Sequence, residues 1–250
     1  MRGWMVAGNW KMNNTIKESI DLSKAVKEGT DGIKGGEVVL SPPFTALQAV
    51  YETIKGSHVM LAAQNMFYEE KGAYTGETSA AMLKDVGCTY VIIGHSERRK
   101  YFGETDEWVN LKTKKSLSVG LKPIICVGET DAERERGITE FVVGIQVKKA
   151  LNGIDSMDNI VIAYEPVWAI GTGKTATPEI AEKAHQFIRK KLSELFDKKR
   201  SNKMSILYGG SVKPDNIKEL IKKENIDGVL VGGASLEVKS FLQIIEGSEV

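Results

Sequence analysis

The sequence predicts an α/β protein in which eight parallel strands close into a (β/α)8 barrel with the helices outside. Short apolar runs alternate with longer segments of helical period eight times, and no linker or change of composition breaks the 250 residues. Residues 1–250 therefore read as a single catalytic domain. Eight repeats also permit an open doubly wound sheet, but the first strand is not followed by the G-x-G-x-x-G turn that a dinucleotide-binding sheet of that kind carries.

The apolar runs, in order, are residues 4–7, 38–40, 59–63, 90–93, 123–127, 160–164, 204–208 and 228–231. They are continuous rather than alternating in polarity, as parallel strands covered on both faces require. The helices between them have readable starts. Thr15-Ile16-Lys17-Glu18 is a capping box, followed by Ile20, Ala25 and Val26 on one face, with Gly29 at the end. Thr177-Pro178 reads as an N-cap followed by proline at the first helical position. Beyond it Ile180, Ala184, Phe187, Ile188, Leu192 and Leu195 form an apolar stripe.

Composition excludes several function classes. The formal charge is +1, and 42% of residues are apolar against 27% charged, which asks for neither nucleic acid nor an anionic membrane. No apolar run approaches the ~20 residues of a membrane span, and the N-terminus lacks a signal-peptide core. Cys88 and Cys126 have no metal-ligand spacing and read as reduced, buried small hydrophobes. A cytoplasmic location follows from both readings.

In such a barrel chemistry sits where strands end, and polar or flexible residues gather at those places. They are Asn9 and Lys11 after the first strand, His95 after the fourth, Glu165 after the sixth, Ser211 after the seventh, and Gly232 and Gly233 after the eighth. Taken one at a time each has a plainer reading. Glu165 is also a strand-end glutamate in an ion pair, Asn9 a turn residue, and Gly232-Gly233 a turn. His58 and His185 read as structural or solvated, and lysines other than Lys11 as solvated helix faces.

Together the motifs carry more. Ala7-Gly8-Asn9-Trp10-Lys11-Met12-Asn13, Gly94-His95-Ser96-Glu97-Arg98-Arg99 and the run from Ala163 through Glu165 and Gly171 to Lys174 resemble the triosephosphate isomerase family. So do Tyr208-Gly209-Gly210-Ser211-Val212 and Gly232-Gly233-Ala234-Ser235-Leu236. The resemblance implies a (β/α)8 barrel that interconverts dihydroxyacetone phosphate and D-glyceraldehyde 3-phosphate through an enediolate, in glycolysis and gluconeogenesis, with no cofactor or metal.

On that resemblance Glu165 is the carbon base, and His95, at the start of a short helix, is a neutral electrophile, a pairing for which this family is the standard example. Lys11 supplies a cation and Asn9 a donor to the developing oxyanion. Gly171, Ser211, Gly232 and Gly233 offer backbone N–H groups to the phosphate. Glu97 is read as ion-pair support for Lys11, and a direct catalytic role for Glu97 or Cys126 is left open. Residues 166–177, long and apolar in the middle, form a lid, again as this family illustrates. Residues 64–78, with Met66, Phe67, Tyr68 and Tyr74, read either as a self-packed loop or as an arm burying these groups in a second subunit. The resemblance favours the arm, a homodimer, and Thr75 reaching the partner's Lys11.

Three rivals are weighed. A class I aldolase needs a Schiff-base lysine where Glu165 stands. A metal-dependent isomerase needs clustered ligands that three isolated histidines do not supply. A phosphosugar-binding barrel without isomerase activity would not need the full catalytic set.

Overall fold

The computed structural model describes residues 2–169 and 176–249. Eight parallel strands close into a barrel in chain order: β1 (Trp4–Asn9), β2 (Gly36–Ser41), β3 (Met60–Ala63), β4 (Tyr90–Ile93), β5 (Lys122–Val127), β6 (Val161–Tyr164), β7 (Ser205–Tyr208) and β8 (Gly228–Val231). Closure comes from β8 pairing with β1, Met5 opposite Gly228 and Gly8 opposite Val231, which rules out the open sheet. β1 and β2 run further than their apolar residues, because Asn9 and Ser41 still pair in register.

Alternate strand residues face opposite ways, and this divides the core in two. Met5, Ala7, Tyr90, Ile92, Ile124, Cys126, Ala163, Leu207 and Leu230 fill the barrel's interior with their neighbours. Val6, Val38, Leu40, Val91, Ile93, Ile125, Ile162, Ile206 and Val231 pack outward under the helices. The same alternation decides what reaches the mouth. Two residues beyond Ala7 comes Asn9, beyond Ala163 Glu165, beyond Leu207 Gly209, and beyond Leu230 Gly232. Three of these inward rows thus end in residues singled out above, and the fourth ends in Gly209, two residues before Ser211.

The helix Ile16–Gly29 starts as its capping box requires, with the Thr15 hydroxyl accepting from Glu18 N–H and the Glu18 carboxylate from Thr15 N–H. Its buried face is Ser19, Leu22, Ser23 and Val26. Ile20 and Ala25 stand at its margin, since the two serines let that side approach the barrel. Pro178–Leu195 starts at the Thr177 cap. It buries Ala181, His185, Ile188, Arg189 and Leu192, whereas Leu195, expected in the stripe, is 39% exposed. Cys88 and Cys126 are free thiols, both buried. Among the described residues no helix is long and apolar enough to cross a membrane.

Candidate active site

Glu165 follows β6 directly, and its N–H is bonded to Val127 O at 2.8 Å. β5 and β6 lie so close here that a Cβ on Gly128 would stand 1.7 Å from Glu165 O, so only glycine fits. The Glu165 carboxylate is 2% exposed. It accepts from Ser96 N–H at 2.9 Å and Ser96 Oγ–H at 3.0 Å, and its Oε1 lies 3.0 Å from His95 Nε2. Each charge-assisted bond contributes about 1.5–3 kcal/mol, enough together to hold an anion out of water. Cys126 lies beside it. Burial, and after it the Glu165 carboxylate, pushes the Cys126 thiol well above its ordinary range, so it stays protonated.

His95 caps the helix Ser96–Phe102, its Nδ1 accepting from Glu97 N–H at 3.3 Å. That bond assigns the ring proton to Nε2, the nitrogen facing Glu165. Gly94, at φ +72, makes the turn that carries the chain from β4 into this helix. Its N–H donates to Glu104 Oε1 at 3.1 Å and its carbonyl accepts from Arg99 Nε at 2.8 Å. Glu104, with no exposed side-chain surface, also takes Arg98 Nε at 2.7 Å and Lys112 Nζ at 3.0 Å. Lys112 in turn donates to Asn65 Oδ1 at 2.8 Å. The expectation that lysines other than Lys11 sit on solvated helix faces fails at Lys112, which is 1% exposed because Glu104 and Asn65 replace water around it.

Lys11 reaches the helix that His95 caps, its Nζ 2.6 Å from Glu97 Oε1. The expected Lys11–Glu97 ion pair is thus present. Lys11 is one of three non-glycine residues with positive φ among the described residues, at 53°. For an L-residue this region costs roughly 1–2 kcal/mol. Two local contacts offset that cost: Asn9 Oδ1 accepts Lys11 N–H at 3.0 Å, and Gln64 Nε2 donates to Lys11 O at 2.8 Å. With its oxygen so engaged, Asn9 has its amide NH2 to offer a substrate.

A cavity of about 740 Å³ opens here, lined by Asn9, Lys11, Ser96 and Glu97 on one side and by Ser211, Gly232 and Gly233 on the other. Gly232 precedes the short helix Gly233–Leu236, and its carbonyl is tied down by Ser235 N–H and Oγ–H at 2.8 and 2.7 Å. Of the predicted residues, Asn9, Lys11, Ser211, Gly232 and Gly233 line this cavity. Glu165 and His95 do not line it and lie behind Ser96, to which Glu165 is bonded. Gly171 and the middle of the segment 166–177, expected to be a lid, lie outside the described residues. The entrance to that segment is held by Glu129, which sequence reading passed over. Its buried carboxylate accepts from Tyr164 OH at 3.0 Å and Trp168 Nε1 at 2.9 Å, and its carbonyl accepts from Val167 N–H at 3.2 Å.

In residues 64–78 the ring of Phe67 stacks on Tyr68 at 4.3 Å between centroids and meets Tyr74 at a tilt at 4.7 Å. Met66 does not belong to an outward-facing set. It is fully buried in its own chain's core, so of the four apolar residues it cannot be an intersubunit contact. His58 is exposed and His185 fully buried, its Nδ1 3.1 Å from Asn225 O, each consistent with a structural or solvated role. Ser96, Gln64, Glu104 and Lys112 were missed. Ser96 and Lys112 lie on helices, where serine and lysine read as surface, and Gln64 and Glu104 lie in connecting segments. The Arg98/Glu104 and Glu104/Lys112 separations are not those of neighbours on a helix and gave no signal. Among the described residues no group of three His, Cys, Asp or Glu side chains is placed to hold a metal ion.

The family model described as Triosephosphate isomerase matches residues 4–248. A protein named triosephosphate isomerase from Carboxydothermus hydrogenoformans is 56% identical over 99% of this chain and 100% of its own length. Proteins of the same name from Endomicrobium trichonymphae and Fusobacterium nucleatum are 52% and 50% identical, covering 100% and 98% of this chain and 100% and 99% of their own.

Proposed function

The chain belongs to the triosephosphate isomerase family, and from that premise we propose which of its residues perform the isomerisation. The activity itself is the interconversion of dihydroxyacetone phosphate and D-glyceraldehyde 3-phosphate. Moving a hydrogen between neighbouring carbons needs a base at the carbon and donors at the two oxygens. Glu165 removes the proton from one carbon and returns it to the next. His95, neutral and with its proton on Nε2, donates to the oxygens as charge develops on them, and Lys11 and Asn9 share that load. The backbone N–H groups of Gly171, Ser211, Gly232 and Gly233 hold the phosphate. The observation that carries this reading is the 3.0 Å approach of His95 Nε2 to Glu165 Oε1, base and donor side by side directly behind Ser96, which lines the cavity and bonds Glu165.

A coupled assay with glyceraldehyde 3-phosphate in the presence of a chelator tests it. Activity should survive the chelator and collapse in Glu165→Gln. An active Glu165→Gln enzyme would remove Glu165 as base, and inhibition by the chelator would require a metal.

On the same reading residues 170–173 guard the enediolate, which otherwise expels its phosphate. Deleting them should release methylglyoxal and inorganic phosphate, and a shortened enzyme returning only triose phosphates would refute the role. The chain acts as a single domain in the cytoplasm, in glycolysis and gluconeogenesis, and pairs as a homodimer through residues 64–78. Support for the pairing comes from Met12, Phe44, Tyr74, Met82, Tyr101 and Phe102, at 42–96% exposed. These six follow the first four strands, whereas of the other exposed large apolar side chains among the described residues only Phe141 and Leu195 follow later ones. Most of the exposed apolar surface therefore lies on one half of the barrel. A monomer at micromolar concentration in sedimentation would refute it.

A further inference from the structure

Gln64 follows β3 directly and sits at the rim, in the same inward row as Ala62. Its side-chain nitrogen donates twice, to Lys11 O at 2.8 Å and to Ser41 O at 2.9 Å. Ser41 ends β2 and also accepts Trp10 N–H at 3.1 Å. The end of β3 therefore reaches across the end of β2 and grips the chain leaving β1. What it grips is a left-handed peptide, with Lys11 at φ 53°. Asn9 holds the N–H side of Lys11 and Gln64 the carbonyl side. Two carbonyl acceptors facing one point call for a group with two N–H bonds and no negative charge. A primary amide meets that need, while a carboxylate or hydroxyl does not.

We propose that Gln64 is a positioning residue for the isomerisation, its amide fixing the left-handed backbone of Lys11 and so the place of the Lys11 ammonium in the site. With the amide gone, the Lys11 carbonyl is free to turn, the backbone relaxes toward negative φ, and Nζ leaves its place near Glu97. The proposal rests on the reading of Lys11 as a residue that meets the substrate.

The test is a double-mutant cycle between Gln64→Met, close in size and without N–H donors, and Lys11→Met. It reads kcat/KM for glyceraldehyde 3-phosphate. Gln64→Met should lower kcat/KM by about 10- to 100-fold, the scale of a 1 Å misplacement. In the Lys11→Met background the same change should cost less than about 3-fold, since no ammonium is left to place. A merely structural role would cost the same factor in both backgrounds, and that result would overturn the proposal. So would a Gln64→Met enzyme within about 3-fold of wild type. If Lys11→Met alone is nearly fully active, the reading of Lys11 fails first, and that outcome is distinguishable. Should Gln64→Met not fold, Gln64→Leu enters the same cycle, likewise without donors and with no new charge beside Lys11. If neither variant folds, Gln64 belongs to the fold and not to Lys11, and the proposal is overturned.

Discussion

Replacing Glu104 by glutamine removes one charge and almost no volume, and the surroundings of that carboxylate set the expected cost. Glu104 has no exposed side-chain surface, and Lys112 retains 2%. Burial pushes the Lys112 ammonium below its ordinary value, and the Glu104 carboxylate is the largest influence opposing this. In Glu104→Gln that opposition disappears while the burial stays. Removing one partner of a buried pair costs about 3–5 kcal/mol, chiefly through the stranded charge. For a chain of this size 1 kcal/mol moves Tm by roughly 2–4 °C, so the variant should melt about 6–20 °C lower. Arg98, with 26% of its side chain exposed, adds little because solvent screens it. The glutamine oxygen can still accept Gly94 N–H, so kcat well below the melting range should stay within about 3-fold. Calorimetry and circular dichroism at one protein concentration measure the first effect, and the coupled assay the second. Adding Lys112→Met should recover most of the lost stability, because the stranded ammonium goes with it. If Glu104→Gln melts within about 3 °C of wild type, or if the double variant is no better than the single, the stranded-charge argument is wrong.

Three further outcomes can be checked. Glu165→Asp withdraws the carboxylate by one methylene, so kcat should fall about 100-fold, near 2.7 kcal/mol, with KM little changed; a near-wild-type kcat would remove Glu165 as base. Burial holds His185 at about 3 against 6.5 when free. Between those values the unfolded chain binds a proton that the native chain refuses. Stability is therefore full above pH 6.5 and declines as pH falls toward 3, by at most about 5 kcal/mol. Urea titrations should show a flatter acid decline in His185→Gln, and equal slopes would exonerate His185. A methyl on Gly209 would lie 3.0 Å from Glu165 Cγ and 3.2 Å from Tyr164 O. Gly209→Ala should thus lower kcat by about 10-fold or more through a displaced Glu165, and an unchanged kcat would show slack in that stem.

The barrel was legible because its strands are continuous apolar runs. β4 and β8 begin and end where those runs do, and the others differ by residues such as Asn9 and Ser41 whose pairing no hydropathy pattern carries. The catalytic candidates were legible because they stand at strand ends within specific motifs. What stayed hidden was the layer behind them. Ser96 looks like any residue of a helix's first turn, and its bonds to Glu165 depend on a strand 69 positions away. Gln64 looked like the start of a loop. Lys112 looked like surface because charge alone does not reveal that Glu104 and Asn65 close around it. Met66 was grouped with its aromatic neighbours by adjacency, although its side chain turns into the core.

The grip of Ser96 and His95 on Glu165 has a consequence for how the protein meets foreign molecules. A carboxylate enclosed by three donors and closed to solvent is a sluggish nucleophile toward stray electrophiles. It becomes reactive only when an arriving molecule can trade those donors for its own bonds. Selectivity of this kind precedes any chemistry, because the reactive group is released by the right visitor and not merely approached by it. Small neutral alkylating agents should therefore pass Glu165 by, while electrophiles bearing a phosphate in the place of the substrate's should find it.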